Sequence, residues 1–448
     1  MTSTWVALSL AACGAEARWI GQGDVDGTDS GTSSDTGGDG DDDSLSATTK
    51  IDLLVVMDNS TSMASMQIGA TESVGALVQA LIDEQGFDVR VGVTTTDNGN
   101  SACAASGLDD TSPEGGKLVA SSCTTRAAEF EWPHSDPQVF THDEACLASC
   151  PAFAGDALEI VPTGIEGDSA SVARPWIEVA PGDEWGERTN ITGVSWQQAI
   201  ACMLPMGIDG CGFESPLESQ YKALARTVYP GEMSYGFLRS DAQLAILHVT
   251  DEADCSANPK VDQLVFNPDA INSPFWTGSS PTSGICWNAG TTCTGSGAPY
   301  DDCISESYNY LGDETSEVFD GNNSDAQQQV LYPLSRYLDQ LELLPRLPVV
   351  FVLAGVPEGY TEGTADLVYR ESAATEEAWG IDFGCTSTVN GFERTALPPV
   401  RLREFAEAFV DPDDESGAAR PGLGSVCAGS YVPAMEVFRD RIVAAARG

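Results

Sequence analysis

Residues 51–57 (IDLLVVM), 244–249 (LAILHV) and 347–355 (LPVVFVLAG) constrain the fold more than anything else in this chain. Each run is too apolar to have a wet face, so each reads as a strand buried on both sides. A strand is covered on both faces where helices pack above and below its sheet, and such sheets are mostly parallel. The intervening sequence supplies the helices. Val74, Leu77, Val78, Leu81 and Ile82 recur at helical spacing, and Gly86 marks the stop. Val89, Val91 and Val93 then alternate in a further strand that ends in Thr94-Thr95-Thr96-Asp97. Strand, helix and strand in succession make a βαβ unit. Helical spacing returns at 196–204, at Phe213, Leu217, Tyr221 and Leu224, at Val330, Leu331, Leu334, Leu338 and Leu341, and near 402–409 and 431–446. The expected fold is α/β, a doubly wound, mostly parallel sheet.

Two segments break this rhythm. Residues 98–190 and 253–323 are rich in Gly, Pro, Ser, Asp and Cys, and read as two large disulfide-rich insertions. The chain has 13 cysteines. Cys146 and Cys150 form a CxxxC, but no second close pair with a suitable histidine completes a zinc site. Disulfides in an oxidising compartment are the better reading, although their pairing is not legible from spacing. The odd cysteine is Cys13, which follows a short apolar stretch. Leu10-Ala11-Ala12-Cys13 resembles the lipobox of bacterial lipoproteins, where the cysteine is acylated and becomes the new N-terminus. That resemblance implies a signal segment at 1–13, lipidation at Cys13, and an outer-membrane protein held by lipid. Twelve cysteines remain for bridges. From residue 21 the stretch 14–50 is almost all Gly, Asp, Ser and Thr, so it reads as a disordered, self-repelling tether before a domain at 51–448. No later run is apolar over the ~18–20 residues that a spanning helix needs, so lipid is the only anchor the sequence offers.

A formal net charge of −47 repels phosphate backbones and anionic headgroups, which argues against nucleic acid as a partner. The same charge suits divalent cations. The first buried run ends in Asp58-Asn59-Ser60-Thr61-Ser62, a D-x-S-x-S pattern. Asp42-x-Ser44-x-Ser46 in the tether matches equally well, so context decides. Only Asp58 stands at the carboxyl end of a buried strand and before a helix, where open α/β sheets bind ligands. Two hydroxyls at i, i+2 beside a carboxylate suit a hard cation, Mg²⁺ or Ca²⁺. Asp251, in HVTDEADCS, ends another buried strand and is placed to supply a second acid across a spacing of about 4.8 Å. The alternative is that DNSTS caps a helix without any metal. Glu252 and Asp254 read as solvated surface, and His248 as a packed, hydrogen-bonded core histidine. His134 and His142, with Asp143 and Glu144, fit no standard zinc spacing. Trp132, Trp176, Trp185 and Trp196 read as packing under the insertions.

The order strand, D-x-S-x-S, helix, and later strand, Thr-Asp, resembles the von Willebrand factor A-like domain with its metal-ion-dependent adhesion site. The segments VVMDNSTSM, VGVTTTD, GCGFESPLE, HVTDEADCS and VFVLAGVP resemble a cysteine-rich subgroup carried on bacterial lipoproteins. The resemblance spans 51–448 and implies a Rossmann-like sheet with Asp58, Ser60, Ser62 and Asp251 as metal-site residues. The family also supplies a Thr from a mid-chain loop. Here that loop reads GIDGCGFESPLE, without a Thr. Three readings stay open: Glu214 takes the slot, Thr192 reaches it, or it is empty. A Glu would hold the ion more firmly and attract an acidic group from a partner less.

The implied function is a lipid-anchored, metal-dependent binding or adhesion module of the cell envelope. Its partner would be a protein or polymer, with an acidic group of that partner completing the metal shell. The sequence has no GxSxG, HExxH or P-loop and only 3 histidines, so no enzyme activity is expected. The alternatives are a structural envelope protein with a fold-stabilising ion, and a metal-assisted hydrolase.

Overall fold

The structure is a computed structural model, and it describes residues 49–106, 113–131, 145–150, 158–165, 168, 171–183, 186–269, 273–319, 328–411 and 416–448. Cys13, the tether up to residue 48, Trp132, His134, His142, Asp143, Glu144 and Trp185 lie outside the described residues.

Seven strands form the central sheet: β1 (Lys50–Met57), β2 (Asp88–Thr95), β3 (Ile177–Asp183), β4 (Gly186–Thr189), β5 (Gln243–Val249), β6 (Val349–Ala354) and β7 (Leu423–Ser425). Their order across the sheet is β7-β6-β5-β1-β2-β3-β4. The five strands from β7 to β2 run parallel, and β3 and β4 extend the β2 side antiparallel. Part of the stretch read as the first insertion is thus sheet. It was illegible as strand because β4 is exposed throughout and so has no apolar alternation. The chain leaves β1 for β2 on one side and later returns to β5 on the other. That reversal beside β1 is the switch point where ligand crevices open in such sheets.

Helices cover both faces. On one face α1 (Ala64–Asp83), α2 (Trp196–Met203) and α6 (Val432–Arg447) pack against Ile51, Leu53, Val55 and Met57 of β1 and their neighbours on β2, β5 and β6. α3 (Pro216–Thr227), α4 (Ser335–Glu342) and α5 (Val400–Glu407) cover the other. The anchors are large: Phe438 of α6 lies against Phe351 of β6 with ring centroids 5.3 Å apart, and burying one such side chain contributes about 1.5–3 kcal/mol. α1 ends where Gly86, at φ 73°, takes the left-handed conformation. The Gly86 N–H then donates to Ile82 O (3.0 Å) and the Phe87 N–H to Leu81 O (3.0 Å), the paired C-terminal bonds that a glycine permits. The helix expected from Val330 starts only at Ser335. Pro333 disfavours helix at the residue before it, and Val330 instead shares backbone hydrogen bonds with Asn258 (2.9 Å) and Tyr308 (2.9 Å), outside any helix.

Asp52 is the one charge inside the first apolar run. Its carboxylate accepts the Arg239 backbone N–H (2.6 Å) and Nε (2.8 Å), while burial still pushes its pKa up to about 6. His248 is fully buried on β5. Its Nε2 lies 2.8 Å from Gln220 Oε1 and its ring stands edge-on to Phe405. Burial holds its pKa down at about 3, against about 6.5 for an unperturbed histidine. Between those values the unfolded chain binds a proton that the folded protein refuses. The stability this contributes is therefore complete above about pH 6.5 and is lost as pH falls through the window. His248→Gln should lose about 2–3 kcal/mol less than the parent between pH 7 and pH 4.5. Urea unfolding at both values checks this, and parallel losses would refute it.

Six disulfides pair all twelve cysteines after Cys13: Cys103–Cys211, Cys123–Cys146, Cys150–Cys202, Cys255–Cys286, Cys293–Cys303 and Cys385–Cys427. A framework of this kind is consistent with an extracytoplasmic protein. Among the described residues no helix is long and apolar enough to cross a membrane.

Candidate metal centre at the carboxyl end of the sheet

Met57 pairs with Thr95 on β2 and with Val249 on β5. The ladders run one step beyond the strands: the Asp58 N–H donates to Val249 O (2.9 Å) and the Thr96 N–H to Met57 O (3.2 Å). Thr96, Asp58 and Thr250 therefore end three adjacent strands side by side. Asp58 is fully buried. Its Oδ1 accepts the Ser60 N–H (2.7 Å) and its Oδ2 the Thr250 hydroxyl (2.6 Å). The Ser60 and Ser62 hydroxyls lie 3.2 Å apart. Asp251 lies close enough for the Ser62 hydroxyl and the charge of Asp58 to act on its carboxyl. The four residues singled out in the sequence thus gather at one place, with Asp58, Ser60 and Ser62 linked by hydrogen bonds. Ser62 is exposed and forms the solvent side of the group, whereas Ser60 and Asp251 are buried.

The capping alternative is not realised. A 3₁₀ turn, Thr61–Met63, precedes α1, and neither Ser60 before that turn nor Met63 before the helix makes a side-chain cap bond. The loop before α3 is held against this turn. Gln67 of α1 donates to Asp58 O (2.9 Å) and Gly207 O (2.7 Å), and accepts the Met206 N–H (2.9 Å). Thr61 Oγ1 donates to Ile208 O (3.1 Å), and the Gly210 N–H to Asn59 O (3.0 Å). A Cβ at 210 would stand 2.5 Å from the Asn59 side chain, so any larger residue there would force that side chain to move. Cys103–Cys211 staples the same loop to the segment after β2. A bridge closing about 100 residues removes roughly 4–5 kcal/mol of chain entropy from the unfolded state.

This loop delivers Glu214, fully buried, whose Oε2 accepts the Thr96 hydroxyl. Thr192 does not reach the site. It is exposed in a two-residue strand, Ile191–Thr192, and donates to Glu159 Oε2 (3.2 Å). Glu252 and Asp254 are not solvated surface. Glu252 is buried, and the Ser283 hydroxyl that faces it donates to Gly212 O (2.7 Å). Asp254 is buried in an ion pair with Arg401, 2.9 Å away. The sequence hid both because the groups around them lie far along the chain. Thr96, Thr250, Gln67 and Asp97 are further site residues that sequence reasoning did not single out. Asp97 accepts the Gly99 N–H (2.7 Å) and the Cys211 N–H (3.4 Å). Of these Thr250 left a trace as the Thr of the Thr-Asp pair, Thr96 and Asp97 as the polar end of the second strand, and Gln67 none. Trp176 is fully buried, edge-on to Phe237, and Trp196 is buried with its indole N–H on Glu187 (2.6 Å).

The electrostatics are one-sided. Burial raises the pKa of Asp58 against the donors that face it, Thr250 and Ser60. Asp251, Glu214 and Glu252 are pushed well above the usual carboxylate range, by burial first and then by the charge of one another and of Asp58. Among the described residues, Asp251 Oδ1, Glu214 Oε1 and Asn59 Oδ1 are buried without a hydrogen-bond partner. Such orphans are costly in an apolar surround and call for a missing partner. No three His, Cys, Asp or Glu side chains among the described residues form a ready ligand cluster. The donor set is instead mixed, carboxylates with serine hydroxyls, and all of its atoms are hard oxygens of the kind Mg²⁺ and Ca²⁺ take. The residues fit such an ion. Compared with protein-family profiles, with characterised proteins and with solved structures, the chain matches none.

Proposed function

We propose that this protein is a divalent-cation-dependent binding module, in which Asp58, Ser60, Ser62 and Asp251 hold one Mg²⁺ or Ca²⁺. The observation that carries the reading is the unpartnered Asp251 Oδ1, buried beside the linked Asp58, Ser60 and Ser62. An ion bound there supplies positive charge to a group of acids that otherwise repel one another, and an electrophilic contact for an oxygen of a partner. The chain's own residues fix the donors: Thr250 and the Ser60 N–H orient Asp58, and Gln67 locks the neighbouring loop.

The fold supports the same reading. A strand-end acid followed by two hydroxyls at the switch point of a seven-stranded, mostly parallel sheet resembles the adhesion-site arrangement of von Willebrand factor A-like domains. We read 98–190 and 253–323 as its disulfide-stapled elaborations. With the lipobox-like Cys13 and the six bridges, this makes the protein a lipid-anchored module of the bacterial outer membrane that recognises a protein or polymer of the envelope. Calorimetric titration and sedimentation test it together. The full chain, carrying Cys13→Ser so that it stays in solution, should bind Mg²⁺ or Ca²⁺ at one ion per chain. It should cosediment with purified envelope material in divalent metal but not in chelator. Asp58→Ala should lose both properties. Absence of ion binding, or cosedimentation indifferent to chelator, would overturn the proposal.

A further inference from the structure

A cleft of about 300 Å³ opens between the loop after β2, the first two turns of α3 and the segment 257–263. That volume lies at the lower end of what small-molecule sites use. None of Asp58, Ser60, Ser62 and Asp251 lines it. Two side chains of opposite charge do, and the same loop holds both. Lys222 of α3 donates to Asn98 Oδ1 (2.7 Å), and Asp262 Oδ1 accepts the Ser101 N–H (3.4 Å). Asn98 and Ser101 stand three residues apart, so at most about 10 Å of chain separates them. Asn98 is itself fixed, because its amide donates to Ser219 Oγ (2.5 Å) and Ser215 O (3.3 Å). Neither charge meets an opposite one at hydrogen-bond distance. Glu218, the other acid of the cleft, is turned to Arg336 (3.1 Å) and Tyr337 (3.2 Å) and stays 3.9 Å from Lys222. Asp262 makes no ion pair among the described residues. Burial lowers the pKa of Lys222 and raises that of Asp262, so each charge is held at a cost that a ligand of complementary charge would offset. Ser101 Oγ, enclosed in the same cleft, has no hydrogen-bond partner among the described residues.

We propose that this cleft binds a small aliphatic α-amino acid as its zwitterion, with the ammonium on Asp262 and Ser101 Oγ and the carboxylate on Lys222. The lining singles out that class. A lone anion would meet Asp262, Glu218 and the field of a chain with a net charge of −47. A lone cation would meet Lys222. A ligand that carries both charges on one carbon offsets both, and charge-assisted hydrogen bonds are the strong ones. Ala257 and Pro259 give the cleft an apolar part, which suits a short aliphatic side chain. The site goes beyond the ion-dependent reading and does not need the ion.

Calorimetric titration of the full chain carrying Cys13→Ser, in chelator, tests this with three probes. They are L-alanine, N-acetyl-L-alanine, which lacks the ammonium, and L-alaninamide, which lacks the carboxylate. L-alanine should bind, and each of the other two roughly tenfold more weakly, because a hydrogen bond to a charged group contributes about that much. Asp262→Asn should weaken L-alanine by a similar factor and leave N-acetyl-L-alanine as it is in the parent. Lys222→Met should do the same to L-alanine and leave L-alaninamide unchanged. Both variants should keep the parent's circular dichroism spectrum. Asp58→Ala should bind L-alanine as the parent does, so that loss of the ion leaves this site standing. No binding of L-alanine at millimolar concentration, equal binding of the three probes, or variants that bind as the parent does would each overturn the proposal. Binding that Asp58→Ala abolishes would overturn it too, by placing the ligand at the ion.

Discussion

Saturating Ca²⁺ should raise the thermal midpoint of the protein by roughly 3 °C at a hundred times the dissociation constant, and Asp58→Ala should abolish the rise. The magnitude follows from linkage. A ligand at that excess stabilises the folded state by about 2.7 kcal/mol, and a domain of this size unfolds with an entropy that converts this into a few degrees. The cause is local. Without an ion, burial disfavours the charged forms of Asp58, Asp251, Glu214 and Glu252, and the charge of Asp58 adds to this at the other three. Asp58→Asn, which removes one of those charges without removing its shape, should in chelator be at least as stable as the parent, and in Ca²⁺ less stable. Differential scanning calorimetry in both conditions reads the crossing. A parent midpoint unmoved by metal would remove the cation from the account.

Arg401→Ala should destabilise the protein by about 3–5 kcal/mol, the cost of leaving one member of a buried ion pair without its partner. Asp254 and Arg401 are almost completely enclosed, with 0% and 2% side-chain exposure. Arg401 Nε donates to Asp254 Oδ2 (2.9 Å) and its Nη2 to Tyr332 O (2.6 Å). Asp254 Oδ1 accepts the Ser256 hydroxyl (2.6 Å) and the Leu217 N–H (3.3 Å). One pair thus ties α5 to the start of α3 and to the segment just after Asp251. Asp254→Asn combined with Arg401→Met should cost less than the sum of the single changes, because the double variant strands no charge. Urea unfolding of the four proteins measures the coupling. A loss below about 1 kcal/mol for Arg401→Ala would mean that water reaches the pair.

Much of this arrangement is legible in the sequence, for a definite reason. Residues 51–57, 244–249 and 349–355 are buried on both faces, so burial wrote itself into every one of those side chains and the parallel core was legible, although Leu347 at the head of the third run is 61% exposed. Asp58 and Asp251 were legible as the acids that end two of those runs. What stayed hidden depends on partners distant in sequence. Asp254 looks like a solvated acid until Arg401 arrives beside it, and Glu252 until the fold buries it. Glu214 belongs to the site only because Gln67, Gly210 and the Cys103–Cys211 bridge fold its loop onto the turn after β1. β4 was missed because an exposed edge strand carries no apolar alternation, and β3 because its alternation, Ile177 and Val179, is only two residues long.

β1 begins at Lys50 and ends one residue before Asp58, with parallel neighbours hydrogen-bonded along both of its sides. The lead-in and the site therefore occupy opposite poles of the sheet, about 26 Å apart at a strand rise of about 3.3 Å per residue. A pull applied between the two would travel lengthwise through this one strand. It would shear two ladders at once rather than peel them open bond by bond, the geometry in which a sheet resists mechanical force best.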